Sequence, residues 1–367
     1  MSERAFAVER TGPLEEEMRM SKRTATPKGD WRLTRGWAVE LDDYVQGLDL
    51  SADGQHVAAG TLGGELELLR AADGSVVHAY PSPHGGQGVL GAAFLPSGEA
   101  LATAGEDGQI ALWDVASGAL RWRAPVGKGW VEQLCCSHDG TLIAASCGKT
   151  VAIFDTSGVL IGQIDGHKSA VTSLFWHPAR QAFFSACFGG LHELAHRTGT
   201  VTRSYAYEGS LLTAVCSPDG RILASGNQDA TMHIWYAGTT KDLAMSGYEG
   251  KIDALAFGEL GPLLACADGS ALLVWNFSGA GPAGTHPLEI AGHEGRIHDV
   301  LFRRGGTLLL SVGADGPLHG ARRHPTWGTG FIDRVDVPLR ALRSTSGGER
   351  IVAAGDEGKL FGWSASY

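Results

Sequence analysis

The chain has 367 residues, 43% of them apolar, and a formal charge of −10. No apolar run approaches the ~18 residues of a membrane helix, acids outnumber bases 40 to 30, and six cysteines are too few for a disulfide scaffold of this length. Membrane spans, non-specific nucleic-acid binding and a disulfide-framed secreted fold are therefore set aside, and a reducing cytoplasm is the expected compartment. Glycine, at 53 residues, is about twice as frequent as usual and has no triplet period. Many tight turns, hence many short strands, is its natural meaning.

In chain order, residues 1 to 33 come first. Glu15-Glu16-Glu17 followed by Ser21-Lys22-Arg23, with few aromatics, reads as a flexible arm. Met18 and Met20 are also plausible starts, which leaves open whether the first 19 residues are translated. Residues 36 to 41 form an isolated strand. From there a unit recurs, clearest at residues 88 to 121. It has a strand, a turn at Pro96-Ser97-Gly98, a strand, a turn at Glu106-Asp107-Gly108, a strand ending Leu112-Trp113-Asp114, and a fourth strand after Ser117-Gly118.

The first turn returns as Ser51-Ala52-Asp53-Gly54, Ser137-His138-Asp139-Gly140 and Ser217-Pro218-Asp219-Gly220. The second is marked by Gly64, Gly108, Gly148, Gly190, Ala230, Gly269, Gly316 and Gly358, a spacing of about 42 residues. The aromatic ending returns as Phe154-Asp155, Trp235-Tyr236, Trp275-Asn276 and Trp363-Ser364, and is lost at Leu69-Arg70, Ala195-His196 and Ala321-Arg322. Eight units are favoured; seven is the alternative if the fourth or seventh is an insertion. The last unit has three strands, and residues 36 to 41, an isolated strand before the first unit, can supply its fourth.

Three motifs promise chemistry. Cys135, Cys136 and His138 look like a metal cluster, but neighbours on a strand point to opposite faces, and buried structural thiols are expected. Cys147, Cys187 and Cys266 each lie near a second turn of a different unit. His192-Glu193-Leu194-Ala195-His196 matches the zinc-protease signature, with Thr202 where a third ligand would stand. That chemistry needs a helix, where the histidines lie about 6 Å apart. The motif falls on a third strand, where the gap is ~13 Å, too far to share a metal at ~2 Å. The glycines from Gly279 to Gly284 match a dinucleotide fingerprint, but Thr285-His286-Pro287 follows instead of a helix. No catalytic residue, metal site or cofactor is assigned.

Period, turn residues and aromatic-acid endings resemble the WD40 repeats over residues 37 to 367. The resemblance implies an all-β fold, a closed β-propeller of four-stranded antiparallel blades, spanning residues 34 to 367. It further implies a buried network of a histidine, a turn Asp, a strand Ser or Thr and the Trp. His167 and His293 are the candidate histidines, Asp107 and Asp229 the acids, Trp113 and Trp235 the tryptophans, and Tyr248 replaces a histidine.

In propellers similar to this one, partners dock near the channel mouth, on residues at the start of the first strand and in the second turn. Carried over position by position, the partner-binding set is Tyr44, Glu106, Trp130, Glu132, Phe188, Gln228, Lys251, Asp253, Arg296, His298 and Arg340. Acids gather in the second and third units, bases in the seventh and eighth. The leading expectation is a monomeric, non-enzymatic scaffold binding a protein or peptide, with no nucleic acid and no membrane involved. The alternatives are a metal-binding or metal-delivery protein using His298 and Cys187, and, third, a propeller hydrolase.

Overall fold

A computed structural model describes residues 6–10, 32–80, 82–177, 179–259, 261–279, 281–323 and 327–366. Most of the expected N-terminal arm lies outside the described residues. Residues 7 to 10 of it form a strand, Ala7–Arg10.

Among the described residues every regular element is a strand except one turn of 3₁₀ helix at Asp356–Gly358. Hydrogen bonding groups the strands into six four-stranded sheets and one seven-stranded sheet, with every pair antiparallel. A simple sheet such as Val89–Phe94, Ala100–Gly105, Gln109–Asp114 and Leu120–Pro125 meanders in chain order. Its second strand is buried at all six positions, because other sheets cover both faces. Its fourth strand is largely exposed and carries Arg121 and Arg123.

The first strands neighbour one another in cyclic order, from Val45–Leu50 beside Val89–Phe94 round to Leu339–Ser344 beside Val45–Leu50. Between neighbours lie apolar clusters. One joins Leu95, Ile110 and Leu112 to Val131, Ile143 and Phe154. Another joins Trp37, Val352 and Leu360 to Leu48 and Val57, so the last unit packs on the first. The circle is also closed by backbone hydrogen bonding out of chain order. Arg32–Glu40 pairs with Lys359–Ser366, from Arg32↔Ser366 to Glu40↔Lys359. The fold is a β-propeller, and this strand completes its last sheet.

Separate four-stranded sheets give way at one place. Ala182–Ala195 pairs with Ser173–His177 over its first part and with Val201–Cys216 over its second. Val201–Cys216 in turn runs on to pair with Ile222–Asn227. Two units therefore share continuous backbone and merge into the seven-stranded sheet. The bend is made by Gly189 and Gly190 at φ +95° and +139°, and a Cβ on Gly190 would collide with the Tyr205 carbonyl.

The recurring Ser-x-Asp-Gly turn has one physical cause. In three units the Ser hydroxyl donates to the Asp carboxylate at 2.6–2.7 Å, as in Ser51 to Asp53, Ser137 to Asp139 and Ser217 to Asp219. The same Ser oxygen accepts the N–H of His56, Leu142 or Ile222 at 2.9–3.0 Å. The side chains thus supply the hydrogen bonds that a tight turn denies its backbone.

Candidate functional site: the mouth-side ring of strand starts and second turns

Each first strand begins where its second turn folds back. The N–H of Leu62 donates to Tyr44 O at 3.0 Å, Glu106 to Gly88 O at 3.0 Å, Gln228 to Ser210 O at 3.0 Å, Ala314 to Arg296 O at 2.8 Å and Asp356 to Pro338 O at 3.0 Å. Phe188 is a register partner of Ser210. In these five units the strand starts and second turns singled out in the sequence are tied together at the same end of the sheets, and Phe188 of the fourth unit is paired with the start of the fifth.

Three exposed aromatics stand on this ring: Trp130 at 58%, Tyr44 at 46% and Phe188 at 46%. Trp130 rims a cleft of about 550 Å³ floored by Gly127, Gly129 and Cys147 and walled by Lys128 and Glu132. Glycine is required at 127, because a Cβ there would meet Cys147 Sγ at 2.6 Å, whereas at 129 it would make ordinary contact at 3.6 Å. Cys147 is buried and its sulfur accepts the Gly129 N–H at 3.2 Å. Phe188 is held through its backbone N–H, which donates to Ser169 Oγ at 2.9 Å, leaving the ring outward.

The charged members are largely spoken for. Arg340 forms a two-pronged pair with Asp356 at 2.6 and 3.0 Å, which holds the Asp356 carboxyl below its ordinary range. Arg296 and Lys251 both contact Asp253, the latter at 3.5 Å. Nδ1 of His298 hydrogen-bonds the Leu339 carbonyl at 2.7 Å. Glu106 accepts the Gly88 N–H at 3.2 Å. The lopsided charge read from the sequence is therefore reduced: both arginines on the basic side carry their own carboxylate. Glu132 and Gln228 are exposed at their expected positions.

Sequence reasoning missed an acidic cleft of about 440 Å³ beside Tyr44, lined by Glu40, Asp42, Asp43 and Glu357. Glu65 borders it, and burial together with the Asp42 charge raises its carboxyl pKa. Its signal was present in Glu40 to Asp43, Glu65 and Glu357, but spread over three segments.

The buried histidine networks differ from the expected assignments. In the second unit the histidine is His84. Its Nδ1 meets Asp107 at 2.9 Å and its Nε2 meets Thr103 Oγ1 at 2.9 Å, while the Trp113 indole donates to the same Thr103 oxygen at 3.0 Å. Asp107 and Trp113 were readable; His84 was not, because a proline precedes it instead of a glycine. His293 meets Asp315 at 2.9 Å and Ser311 at 2.8 Å, without a tryptophan. His167 meets Ser185 at 2.8 Å and the Lys149 carbonyl at 2.9 Å, in place of an acid. Asp229 is served by Tyr207 at 2.8 Å and Thr231 at 2.7 Å, and the Trp235 indole turns to the Ala206 carbonyl at 3.3 Å.

The zinc-like motif lies on a strand. Glu193 is buried and clamped by Arg180 at 2.8–3.0 Å. His192 turns to Ser204 at 2.8 Å and lies 3.7 Å from the buried Cys187 sulfur, while His196 accepts from Arg197 at 3.3 Å. Cys136 packs in the cluster between the second and third units and Cys135 in the one between the third and fourth, so they face apart; burial pushes the Cys136 thiol up to about 12. The segment from Gly279 to Gly284 is turn and coil in its described part. Among the described residues no three His, Cys, Asp or Glu side chains gather closely enough to hold a metal, and no helix is long and apolar enough to cross a membrane.

Comparison with known proteins places this geometry. The model of the WD domain, G-beta repeat, matches residues 71–114, 158–191 and 199–236. In these three places the chain carries WD40 repeats. These three matches fall mainly on the second, fourth and fifth units, each taking in the last strand of the unit before it. Among curated relatives, telomerase protein component 1 of Mus musculus is 27% identical over 329 residues, covering 85% of this chain and 12% of that protein. Its Rattus norvegicus counterpart is 30% identical over 236 residues, 62% of this chain and 9% of that protein. This chain thus spans a small part of those relatives. The guanine nucleotide-binding protein subunit beta-like protein of Encephalitozoon cuniculi is 20% identical, with 67% of this chain and 82% of that protein covered. Among solved structures, the crystal structure of the computationally designed Ika8 protein matches with a TM-score of 0.73 at 18% identity, covering 89% of this chain and 97% of that one. That likeness concerns the fold alone.

Proposed function

We propose that this WD40 chain is a non-catalytic interaction scaffold that binds a protein or peptide over the mouth-side ring. The observation that carries the reading is Trp130. An indole 58% exposed at the rim of a cleft, on a turn without its own core to fill, loses apolar exposure only when something covers it. Buried Trp, Tyr and Arg dominate interface energetics, and the same ring presents Tyr44, Phe188, Arg296 and Arg340. Pre-paired arginines suit this role, because their guanidinium planes are held in place before a partner arrives. Glu106, Glu132, Gln228, Lys251, Asp253 and His298 would set orientation.

The platform reads as an eight-bladed ring over residues 34 to 367. Eight apolar clusters bridging consecutive units support that count. Six unpaired cysteines fit a reducing cytoplasm, and the first strands face one another around the circle, away from a second copy. The test is capture of a partner by the full chain, compared with the Trp130→Ala/Arg296→Ala variant. Loss of capture with an unchanged thermal unfolding curve supports the site; undiminished capture sinks it.

A further inference from the structure

The outer strands of a propeller are its free edges, and they need protection from strand addition. Leu120–Pro125 carries Arg121 and Arg123, and Leu288–Ile290 carries Glu289. Val76–Tyr80 and Leu160–Ile164 carry no Asp, Glu, Lys or Arg and receive no further strand among the described residues, so charge alone does not single out an edge; Asp242–Ser246 is set apart by what covers it. Its one charge, Asp242, is engaged with His233 at 2.8 Å, and the rest of its outer row is Ala244 and Ser246. This edge is occupied. Ala7–Arg10 adds to it antiparallel, with Ala7↔Ser246, Val8↔Met245, Glu9↔Ala244 and Arg10↔Leu243. Among the described residues no other sheet receives a strand from outside its own unit beyond its outermost strand.

Side chains add selectivity to this backbone pairing. Residues two apart on a strand share a face, so Phe6 and Val8 reach the same wall. The Phe6 ring stands edge-on to Trp275 at 5.6 Å and 89°, and 5.4 Å from the Tyr248 ring. Both Phe6 and Val8 pack on the cluster that joins the fifth and sixth units. The aromatic wall comes from one unit's end and the next unit's third strand, and so exists only in the assembled ring.

We propose that the edge of Asp242–Ser246, with the Tyr248 and Trp275 wall, is a strand-accepting peptide site selective for an aromatic residue followed two positions later by an aliphatic one. Residues 6 to 10 hold it as a competitor in cis, and an extended partner segment of the same pattern binds by taking their place. Backbone pairing with alternate side-chain pockets is the physics of strand addition. Tethered through residues 11 to 31, the resident strand has an effective concentration of order millimolar. A micromolar peptide is therefore shut out until the resident strand is weakened. This proposal does not rest on the mouth-side reading and uses none of its residues.

The probe is a fluorescent peptide with the sequence of residues 4 to 11, Arg-Ala-Phe-Ala-Val-Glu-Arg-Thr. It is titrated into the full chain and into the Phe6→Asp/Val8→Asp variant. The variant should bind at least tenfold tighter than the unaltered chain, and a peptide with aspartate in place of its phenylalanine should lose at least tenfold. Hydrogen exchange at residues 243 to 246 should speed up in the variant and slow again when the peptide is added. Equal affinity for both chains, absence of binding, indifference to the phenylalanine, or unchanged exchange each overturns the proposal. A dimer of the unaltered chain that the peptide dissociates overturns the assignment of the resident strand to the same chain.

Discussion

The second and seventh units solve one packing problem with different chemistry. In the second, His84, Asp107, Thr103 and Trp113 form a closed hydrogen-bonded set. In the seventh, His293, Asp315 and Ser311 repeat the first three members, but Ala321 stands where Trp113 does. The lost aromatic volume is restored from the outermost strand: Phe331 lies over Gly320, and Trp327 packs on Phe302 at 6.0 Å. A second histidine, His319, takes the position of Ala111, buried to 1% exposure with neither ring nitrogen partnered. Aromatic packing returns to the seventh unit from a different strand, whereas the tryptophan's hydrogen bond does not. A repeat can therefore lose its signature and keep its place in the ring.

The largest test of this contrast is Trp113→Ala. It removes a buried indole and leaves part of the Thr103 oxygen's bonding unfilled, and should cost about 3–5 kcal/mol in urea unfolding. Loss below ~1 kcal/mol would mean that the aromatic is dispensable even where its network is complete. Next is the seventh unit's substitute. Gly320→Leu, which restores the side chain of the second unit's Leu112, collides with the Phe331 ring and should cost about 1–3 kcal/mol. Adding Phe331→Ala should return part of that loss. If it does not, Phe331 is not what fills the space.

His319 sharpens the comparison through pH. Burial, with lesser contributions from His293 and Arg334, lowers its pKa from 6.5 to about 4. The unfolded chain therefore binds this proton first as pH falls. Stability is whole above about 6.5 and declines by roughly 3 kcal/mol towards pH 4. His319→Leu should flatten that decline and leave stability at pH 8 equal or slightly higher, because it replaces an unpartnered buried polar ring. A decline identical in the variant would place the acid sensitivity elsewhere. The smallest effect belongs to the mouth. Arg340→Ala breaks an exposed pair with Asp356 and should change stability by less than about 1 kcal/mol. A larger loss would make this pair a structural device and weaken its reading as a docking group.

The ring itself was legible because its causes are local. Ser-x-Asp-Gly turns, apolar second strands and the unpaired strand before Tyr44 all follow from residues close in sequence. Closure through Arg32–Glu40 follows from counting strands. What stayed hidden depends on residues far apart. His84 serves a network 19 to 23 residues downstream. Arg296 finds its carboxylate at Asp253, on the neighbouring unit. The Ala7–Arg10 strand docks on a sheet more than two hundred residues away, and composition alone disguised it as solvated arm. Two units fuse into one sheet because Val201–Cys216 runs on from the fourth unit's last strand into the fifth unit's first, where the turn pattern had set a break. That strand starts and second turns meet at one end of the sheets followed from spacing; the ion pairs among them did not.

The most direct measurement is hydroxyl-radical footprinting of the full chain, free and bound to its captured partner. Trp130, Phe188 and Tyr44 on the mouth side are read against Val76, Leu120 and Leu160 on the outer strands, all exposed in the free protein. Protection concentrated on Trp130 and its two companions is the expected result. Protection confined to the outer strands, with Trp130 as reactive as before, would contradict the docking surface.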